Sequence, residues 1–186
     1  VIVGPSTSFS MCISGTHTFN SDLTFTLVGP ASCGSPTAVL SPYSSSMGQA
    51  INCNGLDNFS NLCFSNQSTT SFNICGAGGN MTGNYGAYGL GAGTPINWSV
   101  FNGCDATQGP WTLRVQDCYT TDTGTILPAT TLSITGANGL GVPTTINFSS
   151  NVAASITDGA CAQTFGFNPA CCTTTHVSLN LPVSSL

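Results

Sequence analysis

Apolar residues recur at every second position, and Gly, Pro, Ser or Thr cuts each run before it could complete a few helical turns. Phe9, Met11 and Ile13 alternate in the first run, and Leu23, Phe25 and Leu27 in the next. Trp111, Leu113 and Val115 follow, then Leu132 and Ile134, Ile146 and Phe148, and last Val177, Leu179 and Leu181. A period of two belongs to half-buried strands. Turn signals such as Gly29-Pro30, Ser41-Pro42 and Asn102-Gly103 separate the runs. The pattern predicts an all-β chain folded as an antiparallel, jelly-roll-like β-sandwich. The Gly-rich stretch 75–93 lacks the Lys-Ser/Thr ending of a phosphate-binding loop and opens no helix, so it reads as a long loop across one end of the sandwich. Composition shifts near 134–143. Residues 1–136 are therefore expected to form the sandwich, and 137–186 a strand-rich C-terminal extension packed on it or on a neighbouring subunit.

Charge narrows the partners. Charged residues make up 4% of the chain, with Arg114 as its one basic residue against six Asp; an ordinary domain carries about 25%. Nothing here could neutralise phosphates, which excludes nucleic acid and anionic membrane surfaces. No apolar run approaches the roughly 20 residues of a membrane-spanning helix. The surface must instead be built from Ser, Thr, Asn and Gly.

Ten cysteines, namely Cys12, Cys33, Cys53, Cys63, Cys75, Cys104, Cys118, Cys161, Cys171 and Cys172, occur without a Cys-x-x-Cys pair. Zinc-site spacing is missing, so the count points to disulfides and an oxidising compartment. A bridge from Cys161 to Cys171 or Cys172 would close a loop within the extension. The chain begins at Val1 with no signal-like segment and is read as the mature form of a secreted protein, extracellular or at a cell surface. Asn58, Asn66, Asn80, Asn97 and Asn147 each head an Asn-x-Ser/Thr triplet that could carry a glycan. Such triplets also arise by chance in so Asn/Ser/Thr-rich a chain.

Three segments, in order, are shared with one known family. "CISGTHTFNSDLTFTLVGP" (12–30) resembles the His-Thr-x-x-x-Asp-Leu strand pair of the P domain, the β-sandwich that follows the catalytic domain of proprotein convertases. "NGLDNFSNLCFSNQSTTSF" (54–72) resembles the middle segment of bacterial versions, those of secreted Bacteroidota proteins in particular. "FNGCDATQGPWTLRVQDCYTTDTGTILPATTLSITG" (101–136) is similar to the closing motif: Phe-Asn-Gly, then Gly-x-Trp-x-Leu-x-Val-x-Asp, then Asp-x-Gly and a last strand. The likeness covers about residues 8–136, lacks the family's Trp before the final strand, and leaves the C-terminal 50 residues without a counterpart. It implies a jelly-roll-like sandwich with no activity of its own. It also implies Ca²⁺ sites on loop carboxylates, for which Asp22, Asp117 and Asp122 are the candidates here. Ca²⁺ takes six to eight oxygens, which Asp side chains and loop carbonyls supply; the alternative is that each Asp caps a turn.

Catalytic arrangements fit poorly. Asp122-Thr123-Gly124 spells the aspartic-protease triplet, but it occurs once, and that chemistry needs two carboxylates sharing a proton. No Gly-x-Ser-x-Gly occurs. His17 lies inside the strand motif and His176 heads an alternating strand, so both read as structural, while Arg114, on the outer side of its strand, is expected to pair with a nearby Asp. An even number of cysteines in an exported chain leaves no catalytic thiol. The expectation is a non-enzyme: a structural protein that self-assembles into a filament, sheath or surface layer, with residues 1–8 or 177–186 completing the sheet of an adjacent copy. The alternatives are a carbohydrate-binding or adhesin module presenting Tyr85, Tyr88 and Trp98 to a sugar, and an accessory domain of a secreted protease.

Overall fold

The computed structural model describes residues 1–42, 58–73, 80–89, 93–119, 122–157 and 172–181. Within them the chain is an all-β sandwich of fourteen strands and a few 3-10 turns. The first sheet is built around β1 (Ser8–His17). One edge of β1 pairs with β11 (Thr131–Ala137) along Ser8–Cys12 and with β10 (Gly124–Ile126) along Gly15–His17. Its other edge pairs with β4 (Phe59–Ser65), which pairs in parallel with β6 (Met81–Tyr85). β12 (Pro143–Ser149) extends the sheet beyond β11, and β13 (Ala154–Ile156) beyond β10.

The second sheet runs β14–β9–β2–β3, from Thr173–Leu179, Trp111–Asp117, Leu23–Val28 and Thr37–Ser41. A small third sheet joins β5 (Ser71–Phe72), β7 (Ala87–Tyr88) and β8 (Thr94–Pro95). Residues 143–149 and 154–156 thus add strands to the first sheet, and 173–179 add one to the second. Part of the Gly-rich stretch expected to be a loop forms β6 and β7. Parallel pairing with β4 recruits it through the backbone, and Met81 and Ala87 are its buried anchors.

The core is what the alternation dictates. Phe9, Met11, Ile13, Leu132 and Ile134 face Leu23, Phe25, Leu27, Trp111, Leu113, Val115, Val177 and Leu179, all of them buried. Aromatic rings tie the layers: Phe25 meets Phe59 edge-on at 5.5 Å, and Trp111 sits 5.0 Å from Phe101 and 6.1 Å from Phe9. The Trp111 indole N–H donates to the Ala106 carbonyl at 3.0 Å, so burying that ring leaves no donor unmet.

Three disulfides staple the described strands: Cys12–Cys63 between β1 and β4, Cys33–Cys104 between two turns, and Cys118–Cys172 between the end of β9 and the start of β14. The last replaces the expected Cys161–Cys172 alternative. Thr173 pairs with Asp117, so the neighbouring Cys172 and Cys118 face each other. Cys53, Cys75, Cys161 and Cys171 lie outside the described residues.

The terminal segments within the described residues pack on their own chain. Val3 is buried, its N–H donates to the Cys104 carbonyl at 2.8 Å, and its carbonyl accepts from Gly103 at 2.9 Å. Residues 177–179 pair with β9. Strand donation by residues 1–8 or 177–181 is therefore not available without unpacking them, because β9 and the 103–106 turn already satisfy their backbone groups. Residues 182–186 lie outside the described residues.

Candidate functional site

The motif residues of 12–30 and 101–126 meet at one end of the sandwich. His17 is the last residue of β1 and Asp117 the last of β9, and both side chains turn inward. Parity explains this: His17 shares the face of Phe9, Met11 and Ile13, and Asp117 that of Trp111, Leu113 and Val115. Asp117 therefore ends a strand with its carboxylate buried, where the sequence pattern had placed it in the following turn.

The His17 ring accepts the Phe19 N–H at Nδ1 (3.1 Å). That assigns the ring proton to Nε2, which donates to Asp117 Oδ2 at 3.3 Å. Asp117 Oδ1 accepts the Tyr119 N–H at 3.1 Å, so both of its oxygens are engaged. Gly124 pairs with His17 across β10 and β1. A Cβ at Gly124 would lie 2.0 Å from the Thr16 carbonyl and 2.8 Å from the His17 ring, so the Asp-x-Gly glycine is there to let the strands close over the imidazole.

Asp22 precedes β2, whose Leu23 is paired with Asp117, and is 4% exposed. Burial, reinforced by the charges of Asp117 and then Asp122, raises its pKa from 3.8 to about 7. His17 and the Ser21 hydroxyl, which donates to Asp22 Oδ1 at 3.4 Å, oppose that rise. Asp122 accepts the Thr18 hydroxyl at 2.7 Å. The three predicted carboxylates are thus brought into one electrostatic neighbourhood and held by protein donors. Ca²⁺ would need six to eight oxygens, and among the described residues no three His, Cys, Asp or Glu side chains are grouped to hold a metal ion. Chemically, burial and the neighbouring carboxylates favour the protonated form of Asp22. The Asp105 carboxyl, elsewhere, is held below its usual range by the Thr107 N–H it accepts at 3.0 Å, and caps a turn.

The remaining candidates are dispersed. Arg114 makes no ion pair with a described Asp, and Asp57 and Asp158 lie outside the described residues. Arg114 points to the outer face, while Asp117 on the same strand points inward. Its neighbours there are Thr26 and His176, its register partners on β2 and β14. Tyr85, Tyr88 and Trp98 form no open platform. Trp98 is 8% exposed and stacks on Phe9 at 5.0 Å, and Tyr85 packs on Phe72 at 5.0 Å while its hydroxyl donates to the Thr82 carbonyl.

Two of the glycan candidates have structural work. Asn66 spans Phe9 N–H and the Thr7 carbonyl at 2.9 and 2.7 Å. Asn58 takes a positive φ of 68° and receives the Asn20 amide at its carbonyl, at 2.7 Å. Asn80, Asn97 and Asn147 are exposed. No helix among the described residues is long and apolar enough to cross a membrane. No family model, curated protein or solved structure matches the chain.

Proposed function

We propose that this chain is a non-catalytic extracellular structural protein, a self-assembling subunit of a filament, sheath or surface layer, with a P-domain-like sandwich as its body. The observation that carries this reading is the outer surface. On the second sheet it presents Thr112, Gln116, Thr174 and Ser178 around the single cation, and on the first a side-chain ladder of Ser133 on Asn147 and Thr135 on Thr145. Such a surface can be covered by a neighbour without desolvating charges. The disulfides support an oxidising compartment. The convergence of His17, Asp22, Asp117 and Gly124 on one node supports the P-domain likeness, since those are the residues that carry it.

Electron microscopy of concentrated protein, paired with sedimentation velocity, tests the reading. Ordered fibres or sheets, or concentration-dependent oligomers, are expected. Discrete monomers throughout would overturn it.

A further inference from the structure

In an Asn-Gly dipeptide the asparagine side-chain amide is open to attack by its own main chain, because no side chain shields the nitrogen that follows it. The sequence has three, at 54–55, 102–103 and 138–139, of which the first lies outside the described residues. The other two are held in opposite ways. At Asn102 the Gly103 N–H donates to the Val3 carbonyl at 2.9 Å, and the glycine is set at a φ of 89° beside the buried Val3. Asn138 sits on the hairpin tip between β11 and β12. There the Gly139 N–H meets no acceptor among the described residues, and Gly139 and Leu140 are both exposed, Leu140 by 88%. The side-chain carbonyl is the engaged group instead: Asn138 Oδ1 accepts the Leu140 N–H at 2.9 Å and the Val142 N–H at 3.0 Å. The turn is closed by the Asn138 N–H on the Val142 carbonyl and the Gly141 N–H on the Asn138 carbonyl, both at 2.9 Å.

We infer that Asn138 is a self-modifying site: the Gly139 nitrogen attacks the Asn138 side-chain amide, and the residue is converted to aspartate and isoaspartate while Asn102 stays intact. The inference stands independently of the self-assembly reading. The bond from Oδ1 to the Leu140 N–H closes a ring that contains both Asn138 Cγ and the Gly139 nitrogen. Nucleophile and target carbon are thereby kept near each other. The two N–H donors on Oδ1 stabilise the negative charge that this oxygen takes up as the new bond forms, as an oxyanion hole does. The Gly139 nitrogen gives its proton to a solvent base and bonds to Cγ. The bond from Cγ to Nδ2 breaks, and the leaving nitrogen takes a proton from water and departs as ammonia. Water then opens the cyclic imide. Opening at Cγ gives aspartate, whose carboxylate keeps both N–H donors in charge-assisted form. Opening at the main-chain carbonyl gives isoaspartate, which lengthens the backbone of the tip by one methylene. Either product puts a negative charge on a segment, 131–149, that has none. At Gly103 the same step must first break the bond to Val3.

The test is incubation of the folded protein at pH 8.5, followed by chymotryptic mapping with mass spectrometry, with isoaspartate read by isoaspartyl methyltransferase labelling. In the native protein Asn138 should convert at least tenfold faster than Asn102. In urea with the disulfides reduced, where neither site is held, the ratio should fall toward one. Gly139→Ala places a methyl group beside the attacking nitrogen. That methyl meets nothing within 4 Å and the position needs no positive φ, so melting should be preserved. The variant should slow conversion at Asn138 at least tenfold and leave Asn102 unchanged. Equal native rates at the two sites, an Asn138 that reacts only in urea, or a folded Gly139→Ala variant that converts like wild type would each overturn the assignment. Should that variant fail to fold, the comparison of native and unfolded wild type decides alone.

Discussion

Asp22→Asn should make the protein more stable, and only above acidic pH. Folding raises the Asp22 pKa from 3.8 to about 7, so the folded state holds that proton more tightly than the unfolded chain does. By linkage, the group's contribution to stability is fully present below pH 3.8 and is lost as pH rises through 7. At about 1.4 kcal/mol per pH unit the full effect would be about 4 kcal/mol. Relaxation around the buried carboxylate, whose desolvation is the largest cause, and solvent screening of the partly exposed Asp122 reduce the figure to about 2 kcal/mol. Asn keeps an oxygen for the Ser21 hydroxyl and carries no charge, so it mimics the protonated acid. For a chain of this length about 2 kcal/mol corresponds to a rise in Tm of about 4–8 °C.

Thermal melts of wild type and variant at pH 3.5, 6 and 8.5 read the effect. The two Tm values should coincide at pH 3.5, separate at pH 6 and differ most at pH 8.5. A variant that is less stable at pH 8.5 would refute the reasoning. So would a gain independent of pH. Repeating the pH 8.5 melts with calcium and with chelator adds a second discriminant, because a cation seated among these carboxylates would reverse the sign: Asn removes one of its ligands.

Two further outcomes follow from the same geometry. Replacing Cys118 and Cys172 together by Ser opens a 54-residue separation between β9 and β14 and should cost about 2–4 kcal/mol, read as a fall in the denaturant midpoint with a steeper slope, because the unfolded chain without the cross-link exposes more surface. Gly124→Ala forces a methyl group against the Thr16 carbonyl and the His17 ring, and should cost about 1–3 kcal/mol while moving the His17 ring resonances in NMR spectra; an unshifted spectrum would mean that the strands do not close over the imidazole.

Much of the sandwich can be read directly from the alternation. The runs at Phe9, Leu23, Trp111, Leu132, Ile146 and Val177 correspond to β1, β2, β9, β11, β12 and β14. What alternation cannot carry is pairing. β4 and β6 associate in parallel through a backbone ladder in a glycine-bearing segment, where Gly83 takes a φ of 122° that no side-chain periodicity announces. Disulfide partners follow from register, as Cys118 and Cys172 do, and register belongs to the tertiary fold. Asp117 is a different case. Its inward orientation was legible from the position two residues after Val115, but a carboxylate next to a turn suggests exposure, and only the buried His17 opposite it makes an inward Asp tolerable. Asp22 lies outside any alternating run, so its burial comes from the sheets closing around it.

The position of β1 has a consequence for how the chain reaches this state. The first strand in sequence lies inside its sheet, and its neighbours come from residues 59–65, 124–126 and 131–137. The second sheet likewise joins β9 to β14 and β2 to β9 across long intervals. The sheet around β1 cannot zip up from a local hairpin at that strand; β4 lies about 50 residues on, and the other edge of β1 must wait for partners more than a hundred residues downstream. Loop closure over such distances is slow, so the first sheet is completed only after residues 124–137 have been made. The Cys118–Cys172 bridge is tied to the same timing: it can close only once the chain has reached residue 172 and β14 has been made to lie against β9.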